Sequence, residues 1–380
     1  MTAPRRIVIV GTSIAGITAA EELRADGFDG TITLIGDETE QPYSKPPLSK
    51  AFLAGSETDD DIRLPDLDHL DIDLIAGVAA HGLDRDRRRV LLDGDEVPYD
   101  GLVIATGARA ATLRDWGGNP DGLDETVLRT ADDARALRAL LVDGHRLTVV
   151  GGGVLGMEIA STAASAGMDV TVIGTTAPML SALGPYVSQL ILDRALDAGV
   201  IYSVASKGAV LEAAGGRTRV RAGGETIESD AVVTAVGCVP NVAWLRDSGL
   251  SVSPGLIVDE RCRVASDIVA AGDVVSLQGR ARTPHWSSAL GQGRSAAAAL
   301  LRGDEAEPYV ARPYFWTHQF DLSLKVAGEG IPDHEPELLD GDLADLTALW
   351  RWSTDGSPVA AVALNRHIPI SRLHAHAGQA

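Results

Sequence analysis

Two glycine-rich turns could do chemistry in this chain: Gly11-Thr12-Ser13-Ile14-Ala15-Gly16 and Gly151-Gly152-Gly153-Val154-Leu155-Gly156, 140 positions apart (151 − 11). Each follows a short β-branched run, residues 7–10 and 147–150, and precedes an alanine-rich helical pattern. That order suits a dinucleotide. The first glycine turns tightly, the second lets backbone approach a pyrophosphate, and the third packs helix on strand. Exposed N–H groups and the helix dipole then attract the phosphates. Two such turns imply two dinucleotides, hence electron transfer between them. Asp37 and Glu38 lie 21 and 22 residues beyond Gly16, where an acidic side chain meets the ribose hydroxyls of an adenosine.

Two strand–turn–helix units must position these residues. The first is expected as strand 6–10, helix 14–26 and strand 31–35, with Gly27 and Gly30 between helix and strand. The second repeats it as strand 147–150, helix 155–166, a stop at Gly167 and strand 169–173. Residues 99–108 form an apolar strand leaving the sheet at Thr106-Gly107, and residues 231–237 leave at Gly237 in the same way. The halves therefore read as an internal duplication of architecture. Residues 41–50 carry three prolines, which predicts a stiff loop bearing Lys45 and Lys50, able to fix a cation or to brace a domain edge. Residues 267–273 read as a short strand ending in Gly272-Asp273, and 285–301 as a long helix. From about residue 305 aromatics concentrate, and alternation around 322–326, 348–352 and 359–364 predicts a small antiparallel sheet with helical ends. Residues 374–378 read as a frayed tail.

Composition narrows the classes. A net charge of −20, from 33 basic and 53 acidic side chains, argues against nucleic acid and anionic membrane as partners. No apolar stretch reaches the 18 or so residues that span a bilayer. The two cysteines, Cys238 and Cys262, form neither a CxxC nor a metal-ligand set, so no metal is expected and a cytoplasmic location is.

With its motifs in this order, the chain resembles the FAD-dependent pyridine-nucleotide oxidoreductases, and among them the ferredoxin reductases of bacterial oxygenase systems. The resemblance runs almost end to end. It includes the first glycine turn, PYSKPPLSK (42–50), YDGLVIATGA (99–108), LRT (128–130) and GGGVLGME (151–158), then VGCVPN (236–241), AAGDVV (270–275), HWSSALGQG (285–293) and FWTHQFDLSLKVAG (315–328). It implies an α/β fold of two Rossmann-like dinucleotide-binding domains, as in glutathione reductase, plus a small α+β C-terminal domain. The FAD domain would be discontinuous, 1–110 and 241–305, the NAD(P) domain 111–240 and the C-terminal domain 306–380.

Residue by residue, the resemblance implies FAD on Gly11, Ser13, Ala15 and Gly16, with Asp37 at the adenosine ribose and Ala80 near the adenine. Lys50 would lie beside the isoalloxazine, Arg129 near the flavin, Asp273 on a ribityl hydroxyl and Trp286 by the ring. Lys45, Thr106, Gly107 and Gly272 complete the cofactor-binding set. NADH or NADPH would lie along Gly151, Gly153, Gly156, Val236 and Gly237. Glu158 would point to the nicotinamide–flavin contact and pair with Lys50, which as a cation stabilises an electron-rich ring. Hydride passes between the cofactors, so the protein needs no nucleophile or general base, only stacking, distance and electrostatics.

Related thioredoxin and glutathione reductases use a cysteine pair. Without one, electrons must go directly to an external acceptor, which the resemblance makes a [2Fe–2S] ferredoxin serving a cytochrome P-450 or other oxygenase. Such partners are usually acidic, so a local basic docking patch is expected, with Lys45, Lys50, Arg63, Arg312 and Lys325 as candidates. A second reading keeps the cofactors and makes the acceptor a flavin, quinone, small biosynthetic intermediate or oxygen. A third is a flavoprotein acting through partner binding, as apoptosis-inducing factor does on a similar fold. Monomer and homodimer both remain open.

Three positions depart from the family pattern. Ser13 replaces the middle glycine of the first turn, and Lys45 stands where arginine is usual, making a two-pronged contact a point charge. Gly174, 18 residues past Gly156, stands where an acid should bind both hydroxyls of an NAD ribose. No arginine follows to bind a 2′-phosphate, so a weakened NADH preference with NADPH tolerated is expected.

Overall fold

The computed structural model describes residues 4–214 and 217–379, and the chain folds as two compact units. The first comprises the chain up to Ser44, Arg63–Arg109 and Val239–Pro313. The second comprises Lys45–Ile62, Ala110–Cys238 and the chain from Tyr314 onward.

In the first unit, β-branched runs line up as a six-stranded sheet. Its order is Arg263–Ala265, Ile268–Ala270, Gly101–Ile104, Arg6–Val10, Thr31–Ile35, Ile72–Ile75. All neighbours are parallel except the first pair. Both faces are covered, which is why the strands read as unbroken apolar runs. Ile7 and Ile9 face helices Ile14–Ala25 and Trp286–Arg302. Val8 and Val10 face a cluster with Leu83, Val90 and Leu92 of the small antiparallel sheet Ala80–Asp84, Arg89–Leu92, Asp95–Pro98. The two helices approach closely at Gly293, where a Cβ would stand 2.7 Å from the Ala15 carbonyl oxygen. Strand Arg6–Val10 has Thr31–Ile35 on one side and Gly101–Ile104 on the other. A sheet whose strand order reverses at such a point opens a crevice outside the carboxyl ends of those strands. Register keeps the ends level, with Val10 opposite both Ile35 and Ile104, and Ile104 opposite Ala270.

The second unit carries the repeat. Four parallel strands run in the order Ile201–Val204, Asp169–Gly174, Arg146–Val150, Ala231–Thr234, with helix Val154–Ser165 following the glycine turn. The unit also holds a five-stranded antiparallel sheet, ordered Tyr314–Gln319, Leu322–Gly328, Ser357–Leu364, Ala348–Thr354, Glu337–Asp340, around buried Trp350 and Trp352.

Three segments differ from the sequence reading. The segment 41–50 is not loop throughout: Pro46–Ser49 is a 3₁₀ turn, and the short helix Ala51–Ala54 follows it. Proline at the start of a helical turn gives up only an N–H that has no partner there. Residues 374–378 are not frayed, because helix Ile370–His376 buries Leu373 and then Ala377, four residues apart, against Ala361 and Ala363. Grouping differs too, since residues 45–62 pack in the second unit. There Thr162 Oγ1 donates to the Ser49 carbonyl at 3.1 Å, and Arg138 donates to the Phe52 carbonyl with its guanidinium 4.8 Å from the Phe52 ring centroid.

Candidate functional site

The glycine turns are the same object built twice. Gly11 has φ +122° and Gly151 φ +125°, a region that side chains avoid. A Cβ at either would stand 2.1 Å from a carbonyl oxygen, of Ala105 or of Ala235. Their N–H groups donate to the end of the next strand, Gly11 to Ile35 O at 2.7 Å and Gly151 to Ile173 O at 2.8 Å. Gly16 and Gly156 let each helix close on its own turn, since a Cβ would lie 2.0 Å from Gly11 O and 1.9 Å from Gly151 O. The middle positions are both extended, Ser13 at φ −95°, ψ −177° and Gly153 at φ −79°, ψ −175°. Serine therefore fits the first turn without strain. Neither helix has a side-chain cap or an acid in its first turn, so its first N–H groups remain to meet an anion. Backbone this close-packed, with N–H groups at its rim, suits a pyrophosphate.

In the first unit the remaining expected FAD residues follow the level strand ends. Asp37 is exposed beyond Thr31–Ile35, Thr106 and Gly107 follow Gly101–Ile104, and Gly272 and Asp273 follow Ile268–Ala270. Ala15 lies against Gly272, whose Cβ would be 3.0 Å from that of Ala15. Ala80 opens strand Ala80–Asp84 and Trp286 opens helix Trp286–Arg302, both half-buried.

Sequence reasoning missed three residues that hold this edge. Asn241 Nδ2 donates to Thr106 O at 2.9 Å, Thr106 Oγ1 donates to Asn241 O at 2.9 Å, and Asn241 N–H donates to Gly107 O at 3.0 Å. The signal was present as the asparagine ending VGCVPN. Buried Gln292 accepts the Gly272 N–H at 2.8 Å, and Tyr43 donates to the Glu38 carboxylate, so Glu38 is tied back beside Asp37. Burial pushes the His285 imidazole below its ordinary pKa, against the opposing charge of Asp273.

In the second unit Lys50 and Glu158 meet as expected. Lys50 Nζ donates to Glu158 Oε2 at 2.7 Å and to Pro46 O at 3.1 Å. Glu158 is 3% exposed while Lys50 keeps 18%. Two hydroxyls that sequence reasoning did not single out complete the carboxylate's shell. Ser49 Oγ donates to Oε2 at 2.5 Å and Thr317 Oγ1 to Oε1 at 2.7 Å. A buried carboxylate persists when paired and hydrogen-bonded in this way. The result is a cation held in one place by a carboxylate that cannot swing.

The Arg129 N–H donates to Asp133 Oδ2 at 2.9 Å, just before the capping box in which Thr130 and Asp133 start helix Ala131–Arg138. Lys45 precedes the 3₁₀ turn, Val236 packs on the core cluster with Val150 and Ile173, and the Gly237 carbonyl accepts the Ala111 N–H at 2.9 Å. Both cysteines are free thiols, and burial pushes Cys262 up to about 12.

Doubled dinucleotide cradles on parallel sheets, together with a fixed buried ion pair, define an oxidoreductase that handles two nucleotides. The chain belongs to the pyridine nucleotide-disulphide oxidoreductase family, whose model matches residues 5–293. It is 36% identical over 335 residues to rhodocoxin reductase of Rhodococcus erythropolis, covering 85% of this chain and 78% of that protein. It is 38% identical over 372 residues to the ferredoxin–NAD(+) reductase component of the anthranilate 1,2-dioxygenase system of Burkholderia cepacia, covering 94% and 90%. Among solved structures, a chain of the covalent putidaredoxin reductase–putidaredoxin complex matches with a TM-score of 0.84 and 31% identity, over 97% of this chain and 91% of that one.

Proposed function

We propose that this chain is an NAD(P)H-dependent FAD flavoprotein that passes electrons to a ferredoxin serving an oxygenase. The doubled cradle carries the reading, because two complete turns mean two dinucleotides. FAD, when bound, supplies a ring that accepts a hydride and releases electrons singly. On the first cradle the helix N–H groups beyond Gly11 and Ser13 hold the pyrophosphate, Asp37 accepts from the adenosine ribose, and Asp273 accepts from the ribityl chain. Asn241 and Gln292 keep the Thr106-Gly107 and Gly272 backbone in place for this. The second cradle, Gly151, Gly153 and Gly156 with Val236 and Gly237, holds the nicotinamide nucleotide.

Lys50, Arg129 and Glu158 are assigned to the flavin–nicotinamide contact on the motif match, and the ion pair in their own unit supports it. The lysine supplies the charge, and Glu158, Ser49 and Thr317 supply its direction. The ferredoxin is supported by the relatives named as ferredoxin reductase components. A cytoplasmic location is supported by two unpaired cysteines. No helix of the described residues is long and apolar enough to cross a membrane.

The test is anaerobic titration of the FAD-loaded protein with NADH and NADPH in parallel, then steady-state turnover with a [2Fe–2S] ferredoxin and cytochrome c. Both nucleotides are expected to bleach the flavin, and cytochrome c reduction to depend on the ferredoxin. Turnover of equal rate without ferredoxin would overturn the assignment in favour of a small-molecule acceptor.

A further inference from the structure

Beside the second cradle, one phenol fills the space that side chains on two glycines would otherwise occupy. A Cβ on Gly174 would stand 2.1 Å from the Tyr202 hydroxyl oxygen and 2.7 Å from the Thr176 carbonyl oxygen, and one on Gly152 would stand 2.0 Å from the same hydroxyl. The hydroxyl donates to Thr176 O at 2.8 Å. Tyr202 belongs to edge strand Ile201–Val204, opposite Val172, so its ring runs toward the carboxyl edge of the sheet and ends between the glycine turn and the chain leaving strand Asp169–Gly174. In a dinucleotide fold this is where the adenosine ribose meets the residue ending the second strand.

We propose that Tyr202 is the ribose-reading residue of the nicotinamide-nucleotide site, a neutral phenol in place of a carboxylate, and that the phenol and the Thr176 carbonyl it binds together leave room only for glycine at position 174. The proposal rests on reading the second cradle as a nucleotide site and adds the residue that sets its specificity. A carboxylate accepts from ribose hydroxyls and repels a 2′-phosphate. A phenol does neither exclusively, because its oxygen accepts while its proton donates. With the proton on Thr176 O, the oxygen can accept from a 2′-hydroxyl; with the proton turned, it can donate to a 2′-phosphate oxygen. Burial pushes the Tyr202 phenol up to about 12, so it stays uncharged at neutral pH. The site therefore has no charge at this point with which to reject NADPH.

The test is calorimetric titration of the FAD-loaded protein with ADP-ribose and with 2′-phospho-ADP-ribose, which reads binding without turnover. Wild type is expected to bind both within about tenfold of each other, and Tyr202→Phe to weaken both by about three- to tenfold, one lost hydrogen bond. Gly174→Glu alone meets the phenol and gains no selectivity. Gly174→Glu with Tyr202→Ala removes the phenol and leaves only the Thr176 carbonyl to give way, and the acid should then favour ADP-ribose by more than about tenfold through like-charge repulsion. Flavin absorbance and circular dichroism report whether each variant is folded. Tyr202→Phe binding both ligands as wild type does, or Gly174→Glu alone selecting ADP-ribose, would overturn the proposal while leaving the nucleotide site intact. A wild type that binds neither ligand would overturn both.

Discussion

Glu158 is a carboxylate taken almost wholly out of water, and three donors compensate: one ammonium and two hydroxyls. They contribute differently. Thr317→Val removes one hydrogen bond to a charged acceptor and should cost about 1.5–3 kcal/mol by denaturant unfolding. It leaves the Lys50 charge balanced. Glu158→Gln keeps the shape but leaves the ammonium without its counter-charge, and Lys50, at 18% exposure, can reach water only in part. Glu158→Gln should therefore slow flavin reduction in stopped flow by more than about tenfold, and Thr317→Val by less, since catalysis depends here on oriented charge. Equal slowing by both would show that geometry alone matters. Lys50 and Glu158 were legible in the sequence because charged residues stand inside long motifs. Ser49 and Thr317 were not, because a lone hydroxyl has no periodicity, and its partner is 109 or 159 positions away.

At the scale of elements, the second glycine turn separates glycines required by packing from a glycine required by function. A Cβ on Gly156 would stand 1.9 Å from the Gly151 carbonyl oxygen, whereas one on Gly153 meets nothing within 4 Å. Gly156→Ala should destabilise the protein by more than about 2 kcal/mol, the cost of forcing an atom into packed backbone. Gly153→Ala, at extended φ and a helix N-cap, should cost under about 1 kcal/mol. It should nonetheless weaken ADP-ribose binding by at least about tenfold, because its methyl group stands where a pyrophosphate approaches and, unlike the hydroxyl of Ser13 in the first turn, cannot donate to it. Thermal unfolding and calorimetry read the two effects separately, and a Gly153→Ala variant binding as wild type would remove the functional reading of that glycine. A second element-scale effect is pH dependence at helix Trp286–Arg302, which His285 caps. Burial lowers its folded pKa below the unfolded value of 6.5, so folding disfavours the proton. Its contribution is present above pH 6.5 and is lost as pH falls from there toward the folded pKa. A protonated ring would also oppose the helix dipole. Wild type should lose more stability between pH 7.5 and pH 5.5 than His285→Gln does, and identical losses would exclude His285 as the cause. The strand–turn–helix repeats were legible because β-branched runs and glycine turns are local signals. Helix Ile370–His376 was legible only as an unplaced helical end, since the apolar residues it buries are only Leu373 and the following Ala377 among histidines, and the Pro46–Ser49 turn was hidden by prolines that terminate most helices but can begin one.

At the scale of the molecule, the net charge of −20 sets how a redox partner approaches. The sequence pointed to a basic docking patch built from Lys45, Lys50, Arg63, Arg312 and Lys325. Lys50 is already committed to Glu158 and the Pro46 carbonyl, which removes the ammonium most tightly tied to the chemistry. Much of the remaining basic charge is also committed within the fold, as in Arg6–Asp100, Arg87–Glu96, Arg221–Glu212 and Arg351–Glu337. Beyond contact distance the field is then that of an acidic body, and an acidic [2Fe–2S] ferredoxin is repelled before any short-range fit can act. Raising ionic strength from about 10 mM to about 150 mM shortens the screening length from about 30 Å to about 8 Å. The repulsion fades over that range, so kcat/KM for such a ferredoxin should rise several-fold in steady-state cytochrome c assays. The half-reaction with NADH, run in the same salt series, controls for effects on the nucleotide step. A kcat/KM for ferredoxin that falls at every step would mean that local basic charge outweighs the whole, and would direct charge-reversal variants to Lys45, Arg63, Arg312 and Lys325 in turn.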